Sequence, residues 1–234
     1  MITKVTITGA DDSIKPEQLI YFTHKYPFVE WGILVSRDNY GTARFPSTKW
    51  MSELCRLNLP ISLHLCGRYV RDFLKGDYYF TDEIDFILNA AKRVQINTHS
   101  INHSVYGENI NEYLSFNQDK EFIFQYDNVN TYLLCYLLGK KARNFSTLFD
   151  LSGGKGVLPS HWPKPIEGIK CGYAGGISPD NIDNQINKIE SIVGLTNIWI
   201  DMETHVRSNN DQLFDLTKVD KCLKISSNYI QLGF

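Results

Sequence analysis

In the segment NIWIDME (197–203), the aliphatic residues Ile198, Ile200 and Met202 alternate with Asn197, Trp199, Asp201 and Glu203. Because successive side chains of a β-strand point to opposite faces, such a segment presents two different faces. The apolar face is expected to pack against helices. The other face carries Trp199, Asp201 and Glu203, and we predict that it points to the centre of a barrel.

Seven further β-prone runs precede this segment. The eight predicted strands are Val5–Thr8, Val29–Ser36, Ile61–Cys66, Arg93–Thr98, Glu121–Asp127, Phe145–Leu151, Ile169–Gly175 and Asn197–Glu203. Helical spacing of apolar residues follows several of them, most clearly in Pro179–Val193. Eight such units predict an α/β fold, a (βα)8 TIM barrel that forms a single domain over residues 1–234. A doubly wound open sheet is the alternative, since it has the same alternation of strands and helices.

One unit departs from this regularity. The segment SGGKGVLPSHWPKPIEG (152–168) contains three prolines and four glycines. Proline removes a backbone donor and glycine disfavours a helix interior, so this segment is predicted to be an irregular loop after the sixth strand. Long loops at the carboxyl ends of barrel strands often carry function.

Polar side chains accumulate near the carboxyl ends of the predicted strands. They are His64, Cys66, Asn97, Asp127, Asp150, Asp201 and Glu203. An unpaired polar group costs about 1–3 kcal/mol on burial, and barrel enzymes keep their active sites at this end. We therefore predict a ligand site there; the alternative is that these groups satisfy one another or hold water.

Composition narrows the expected class of protein. Hydrophobic residues make up 43% and charged residues 21%, and the formal net charge of -2 gives no reason to expect nucleic acid or membrane as a partner. No stretch approaches the roughly 20 apolar residues that a membrane span needs. The five cysteines are widely spread and never form C-x-x-C, which favours a reducing compartment. We expect a cytoplasmic monomer or homodimer with a small-molecule substrate.

Several motifs resemble one family. LFDLSGGKG (148–156), GYAGGISPDN (172–181) and WIDMETHVRS (199–208) are similar to the carboxyl third of phosphoribosylanthranilate isomerase. VTITGADD (5–12) looks like the first strand of that family, and GILVSRDNYGTARFPS (32–47) like its second strand and arginine loop. The similarity is weakest from about Leu74 to Lys141.

The resemblance implies roles for individual residues. Asp150 would be a general acid that protonates the sugar ring oxygen as the ring opens. Backbone N–H groups in the two glycine-rich segments would bind a phosphate, possible donors being Gly154, Gly156, Gly175 and Gly176. Arg44 would stand near a substrate carboxylate. Apart from the resemblance, Arg37, Asn97, Asp127 and Arg207 are further candidate substrate-binding residues.

Two positions depart from the family pattern. Thr8 stands where the family has its catalytic cysteine, and a threonine has no pKa near neutrality with which to act as a base. Cys66 near His64 is one alternative base, and Asp11 or Asp12 is another. Glu203 replaces a small residue of the eighth strand, and its carboxylate would repel phosphate unless a cation (Arg207 or Lys155) neutralises it.

Three functions therefore stay open. The first is an enzyme that isomerises a sugar phosphate or performs a related proton transfer, with no cofactor and no dedicated metal site. The second uses Asp150, Asp201 and Glu203 on an unphosphorylated substrate, assisted by a metal if His64 and His205 join the carboxylates. The third is a barrel that binds a ligand without catalysis.

Overall fold

Eight parallel strands close into a barrel in a computed structural model that describes residues 1–98, 106–126, 131–152 and 155–231. Each strand pairs with the next along the chain, and β1 pairs with β8 to complete the ring. The strands are β1 (Ile2–Thr8), β2 (Val29–Val35), β3 (Ile61–Leu65), β4 (Arg93–Ile96), β5 (Glu121–Tyr126), β6 (Phe145–Phe149), β7 (Lys170–Tyr173) and β8 (Ile198–Met202). The predicted TIM barrel is confirmed, and the open-sheet alternative is wrong because its first and last strands would not pair.

Helices cover the outside of the barrel. They are α1 (Gln18–Lys25), α2 (Thr48–Cys55), α3 (Arg68–Lys75), α4 (Phe80–Ala90), α5 (Gly107–Phe116), α6 (Thr131–Gly139), α7 (Ile182–Val193) and α8 (Leu216–Ser226). Ser47 begins α2 as its N-cap, since its side chain accepts a hydrogen bond from the backbone of Trp50 at 3.2 Å. Helix α7 buries Ile182, Ile186 and Ile189 against the strands, as its apolar stripe predicts.

The connections after β3 and β6 differ from the usual pattern of one helix after each strand. Two helices, α3 and α4, follow β3. The predicted irregular loop after β6 contains no helix in its described residues, and its Trp162 is buried where a helix would pack. Trp162 donates a hydrogen bond to Gln185 of α7 at 3.1 Å, and the hydroxyl of Tyr173 donates to the carbonyl of Pro163 at 3.0 Å. The loop thereby replaces the missing helix in covering this side of the barrel.

The interior of the barrel contains a small apolar cluster and many polar side chains. Ile123, Leu148, Ala174 and Trp199 form a small core that is separate from the main core between strands and helices. All four come from the second half of the barrel. Gln125 and Asp201 add buried polar groups to the same half. The buried polar side chains of the first half are Thr6, Thr8, Glu30, Ser62, His64, Arg93 and Gln95.

The helices of the described part are short. None of them is long and apolar enough to cross a membrane.

Candidate active site

A cavity of about 210 Å³ opens at the carboxyl ends of the strands. Its lining is Thr8, His64, Gln95, Asn97, Gln125, Leu148, Asp150, Ser152, Gly156, Ala174, Gly175, Gly176, Ile177, Asp201, Met202, Glu203, Thr204 and His205. Most of these side chains carry hydroxyl, amide, imidazole or carboxyl groups. The cavity occupies the end at which TIM-barrel enzymes hold their substrates.

The structure brings eight of the sequence-predicted residues to this cavity: His64, Asn97, Asp150, Gly156, Gly175, Gly176, Asp201 and Glu203. Five others lie outside the lining: Asp11, Arg37, Arg44, Cys66 and Arg207. Asp127 and Gly154 lie outside the described residues. Residues predicted from strand alternation therefore line the cavity, whereas the three predicted arginines do not.

Asp150 follows β6 and is buried at the cavity wall. Its Oδ1 accepts hydrogen bonds from the backbone N–H of Ser152 at 3.0 Å and from the Ser152 hydroxyl at 2.7 Å. Its Oδ2 accepts a long hydrogen bond from Nε2 of Gln125 at 3.5 Å. Ser152 fixes one oxygen, and the other remains available to a bound molecule.

Asp201, on β8, faces the same cavity in a different environment. Thr8 donates a hydrogen bond to Oδ1 at 2.8 Å, and Nε2 of His64 lies 4.0 Å from Oδ2. Burial raises the pKa of Asp201 well above its usual value, and the neighbouring charges of Glu203 and Asp150 raise it further. Burial therefore favours the protonated form of Asp201, which is the form able to donate a proton.

His64 is buried on β3 beside Asp201, with Nε2 3.1 Å from the hydroxyl of Ser62. Burial lowers the pKa of His64 to about 3, although the charge of Glu30 opposes this effect. The imidazole is therefore neutral near pH 7. It can relay or orient a proton, but it supplies no positive charge to stabilise a thiolate.

Cys66 lies behind Asn97, whose Nδ2 donates to its sulfur at 3.1 Å. Burial raises the pKa of the Cys66 thiol to about 12, and the charge of Glu203 adds to this effect. A thiol with that pKa stays protonated at neutral pH, and neutral His64 does not counter it. The cavity thus disfavours the thiolate that Cys66 would need as an alternative base.

Glu203 pairs with Arg44, whereas the sequence analysis named Arg207 or Lys155 as its cation. Nη1 of Arg44 lies 2.5 Å from Oε1 of Glu203, and Arg44 also pairs with Asp211. Burial raises the pKa of Glu203, while Arg44 opposes the rise. Arg44, rather than Arg207 or Lys155, therefore offsets the charge of Glu203, and two carboxylates of the protein already occupy Arg44.

Two other predicted residues are bound to each other. Nη2 of Arg207 lies 2.6 Å from Oδ2 of Asp11, which also accepts from the backbone N–H of Arg44 at 2.7 Å. This buried pair ties the loop after β1 to the segment after β8. Arg37 is on the outer surface, where it pairs with Glu83.

Gly175, Gly176 and Ile177, directly after β7, line the cavity. The N–H groups of Gly175, Gly176 and Ile177 make no hydrogen bond within the described part of the chain. Gly176 has a φ of +69°, and a Cβ there would lie 2.4 Å from the backbone nitrogen of Leu158. Only glycine suits this position, because both the left-handed conformation and the close approach of the loop exclude a side chain.

Gln95, Gln125 and Ser152 also line the cavity, although they were not among the predicted site residues. Gln95 and Gln125 lie on the polar faces of β4 and β5, so strand alternation could have included them. Oε1 of Gln95 is buried and has no partner among the described residues, while its Nε2 donates to Asn97 at 2.8 Å. Ser152 belongs to the irregular loop, where no periodic pattern indicates orientation.

A metal-assisted mechanism receives no geometric support from the described residues. Within them, no group of three or more His, Cys, Asp and Glu side chains is arranged to hold a metal ion. His205, one of the possible ligands, instead places Nε2 2.8 Å from the carbonyl oxygen of Gly156.

Comparison with known proteins finds similarity in fold. No protein-family model matches the sequence, and no curated protein matches it either. A truncated form of 3-deoxy-D-arabino-heptulosonate 7-phosphate synthase from Thermotoga maritima is similar in structure, with a TM-score of 0.57 and 10% identity over 97% of this chain and 86% of that one. A protein of Chromobacterium violaceum assigned to spore coat polysaccharide biosynthesis (protein E) has a TM-score of 0.56 and 10% identity over 97% and 74%. At such low identity these likenesses show a shared TIM-barrel fold.

Proposed function

We propose that this protein is an acid–base enzyme that transfers a proton on a small, polyhydroxylated and phosphorylated substrate. One observation carries the proposal: Asp150 and Asp201 face a single polar cavity from different strands and in different environments. Two carboxyl groups at one cavity can act as the acid and the base of one reaction, and burial raises the pKa of Asp201.

The roles of the two carboxyl groups follow from their surroundings. Asp201 is buried beside Thr8 and neutral His64, and its raised pKa suits a proton donor. Oδ2 of Asp150 is the oxygen left available by Ser152, and it suits a proton acceptor. An isomerisation needs both, since a proton leaves one substrate atom and another arrives elsewhere. This assignment gives Asp150 the reverse of the general-acid role that the family resemblance implies.

The free N–H groups of Gly175, Gly176 and Ile177 support a phosphate subsite. Three adjacent donors in a glycine-rich turn form an anion-binding concavity, and α7 begins at Ile182, five residues beyond Ile177. The proposal agrees here with the resemblance to phosphoribosylanthranilate isomerase. It departs at Thr8, which is hydrogen-bonded to Asp201 and cannot replace a cysteine base.

Solvent exchange tests the proposed proton transfer. A set of aldose and ketose phosphates would be incubated with the enzyme in D2O, and incorporation of deuterium at carbon would be followed by NMR. We expect exchange with at least one substrate, and a loss of about 100-fold or more in both Asp150→Asn and Asp201→Asn. Lys188→Gln, on the exposed face of α7, is the matched surface control. Exchange that survives in both carboxamide variants would refute the proposal.

A second candidate is an acid–base enzyme for an unphosphorylated substrate. The carboxylate of Glu203 lines the same cavity as the glycine N–H groups, and this favours a neutral ligand. Glu203→Gln discriminates between the two candidates. It should strengthen binding of a phosphorylated substrate, whereas it should weaken turnover if Glu203 itself takes part in the chemistry.

A further inference from the structure

The hydroxyl group of Thr8 contacts the proposed proton donor. Thr8 ends β1 and lines the cavity at the carboxyl ends of the strands, as does Asp201 of β8. Both side chains are buried, and Oγ1 of Thr8 lies 2.8 Å from Oδ1 of Asp201. The Thr8 hydroxyl has no other acceptor among the described residues, so it donates its hydrogen to Oδ1.

The second carboxyl oxygen of Asp201 has no such partner. Nε2 of His64 lies 4.0 Å from Oδ2, which is beyond hydrogen-bond distance, and the same nitrogen lies 3.1 Å from the hydroxyl of Ser62. A neutral carboxyl group carries its proton on one oxygen and accepts hydrogen bonds on the other. Because Oδ1 accepts from Thr8, the proton of a neutral Asp201 belongs on Oδ2.

Gly32 leaves the space that the Thr8 hydroxyl occupies. Thr8 and Gly32 are partners in the register of β1 and β2. A Cβ at Gly32 would come 2.1 Å from Oγ1 of Thr8 and 3.0 Å from Cε1 of His64. A side chain on Gly32 would therefore displace the hydroxyl from its place beside Asp201.

We propose that Thr8 is a positioning residue that keeps the acidic proton of Asp201 on Oδ2, the oxygen that delivers it to the substrate. This inference rests on the proposed function, because it takes Asp201 as the proton donor. As the proton leaves for the substrate, the O–H bond at Oδ2 breaks and Asp201 becomes a carboxylate. Thr8 keeps its own hydrogen and continues to donate it to Oδ1. A hydrogen bond to an ionised acceptor is stronger than one to a neutral acceptor, so this contact strengthens as the proton is transferred.

The titration of Asp201 should report the same contact. The titratable side chains around Asp201 are Glu30 of β2, His64 of β3, Asp150 after β6 and Glu203 after β8. Burial and the charges of the three carboxylates raise the pKa of Asp201, whereas the hydrogen bond from Thr8 lowers it. Removal of the hydroxyl should therefore raise this pKa further, while the titratable neighbours stay the same.

Carboxyl ¹³C NMR of the full chain, labelled at aspartate, tests the contact without a substrate. Asp201→Asn identifies the Asp201 resonance. Thr8→Val removes the donor and keeps the shape of the side chain, so this resonance should titrate about one pH unit higher than in the wild type. Thr8→Ser should restore the wild-type midpoint. Thr3→Val, the same change at an exposed residue of β1, is the matched control, and the other aspartate resonances show whether each variant keeps its fold.

Deuterium exchange into the panel of aldose and ketose phosphates tests the effect on turnover. With the substrate that exchanges fastest, Thr8→Val should lower kcat about ten-fold, leave KM within about two-fold and move the basic limb of the pH profile to higher pH. Thr8→Ser should resemble the wild type.

The inference is overturned by equal Asp201 midpoints in Thr8→Val and the wild type, by an unchanged kcat in Thr8→Val, or by valine and serine variants that behave alike. Exchange that is absent from the wild type would overturn the proposed function and the catalytic role of Thr8 together. The carboxyl titration reports the contact between Thr8 and Asp201 separately, so the two failures are distinguishable.

Discussion

The hydroxyl of Thr8 donates a 2.8 Å hydrogen bond to Oδ1 of Asp201, which joins the first strand of the barrel to the last. The two residues are 193 positions apart in the chain. This contact places a buried carboxyl group at the wall of the candidate active site. It also gives Thr8 a role that its place in the sequence does not suggest.

Asp201 should leave a signature in the pH dependence of stability. Its folded pKa is raised well above 3.8, so the folded state keeps a proton that the unfolded chain loses as the pH rises from about 4. Stability should therefore fall as pH rises through this window, by up to about 1.4 kcal/mol per pH unit. Urea unfolding at several pH values measures it, with Asp201→Asn as a reference that does not titrate. Parallel curves for the two proteins would contradict the raised pKa.

His64 should produce a slope of the opposite sign. Its pKa falls from 6.5 to about 3 on folding, so the unfolded chain takes up a proton between these values while the folded state does not. Stability should drop by about 2 kcal/mol between pH 7 and pH 5 relative to His64→Gln. Equilibrium unfolding of the pair at both pH values gives the difference. Equal losses in the two proteins would mean that the imidazole titrates normally in the folded state.

Gly172 should tolerate no side chain. It lies against the Trp199 ring inside the barrel, where a Cβ would come 2.1 Å from Cε2 of the indole. We expect Gly172→Ala to destabilise the protein by about 1–3 kcal/mol or more through overpacking. Gly139→Ala is the control, because a Cβ at the end of α6 meets open space. Thermal unfolding compares them, and similar Tm values would show that Trp199 can move away.

Removing one partner of the buried ion pair between Glu30 and Arg93 should destabilise the folded protein. Nη1 of Arg93 lies 2.7 Å from Glu30, which is 2% exposed. Burial alone would raise the pKa of Glu30, but Arg93 and Lys4 outweigh it and hold this pKa below its usual value.

We expect Arg93→Met to cost about 3–5 kcal/mol, because it strips a buried carboxylate of its closest cation. The double variant Glu30→Gln, Arg93→Met should recover part of this loss. A double variant less stable than Arg93→Met alone would exclude the ion pair as the cause. Urea denaturation of both proteins provides the comparison.

The resemblance to phosphoribosylanthranilate isomerase can be tested genetically. We expect the wild-type protein to fail to complement a tryptophan auxotroph that lacks phosphoribosylanthranilate isomerase, since Thr8 stands in place of the cysteine base. Growth of the auxotroph at the rate given by a genuine isomerase gene would show that another residue, with Asp150 as the first candidate, performs that proton abstraction.

Local pattern was sufficient to predict the barrel and the inward faces of its strands. The alternation in ISLHLC (61–66) and NIWIDME (197–203) predicted that His64, Asp201 and Glu203 would face one opening, and the structure places them there. The physical reason is that the pleat of a strand fixes side-chain direction residue by residue. The loop after β6 was recognisable for the same local reason, through its prolines and glycines.

Only the tertiary structure decided which charges meet and which groups hold a proton. Arg44 reaches Glu203 across 159 positions and Arg207 reaches Asp11 across 196, through loops whose paths no periodicity describes. The raised pKa of Asp201 and the lowered pKa of His64 arise from burial, which depends on every element that surrounds the barrel. The sequence by itself therefore determined where polar groups gather, while desolvation and long-range ion pairing determined what those groups are able to do.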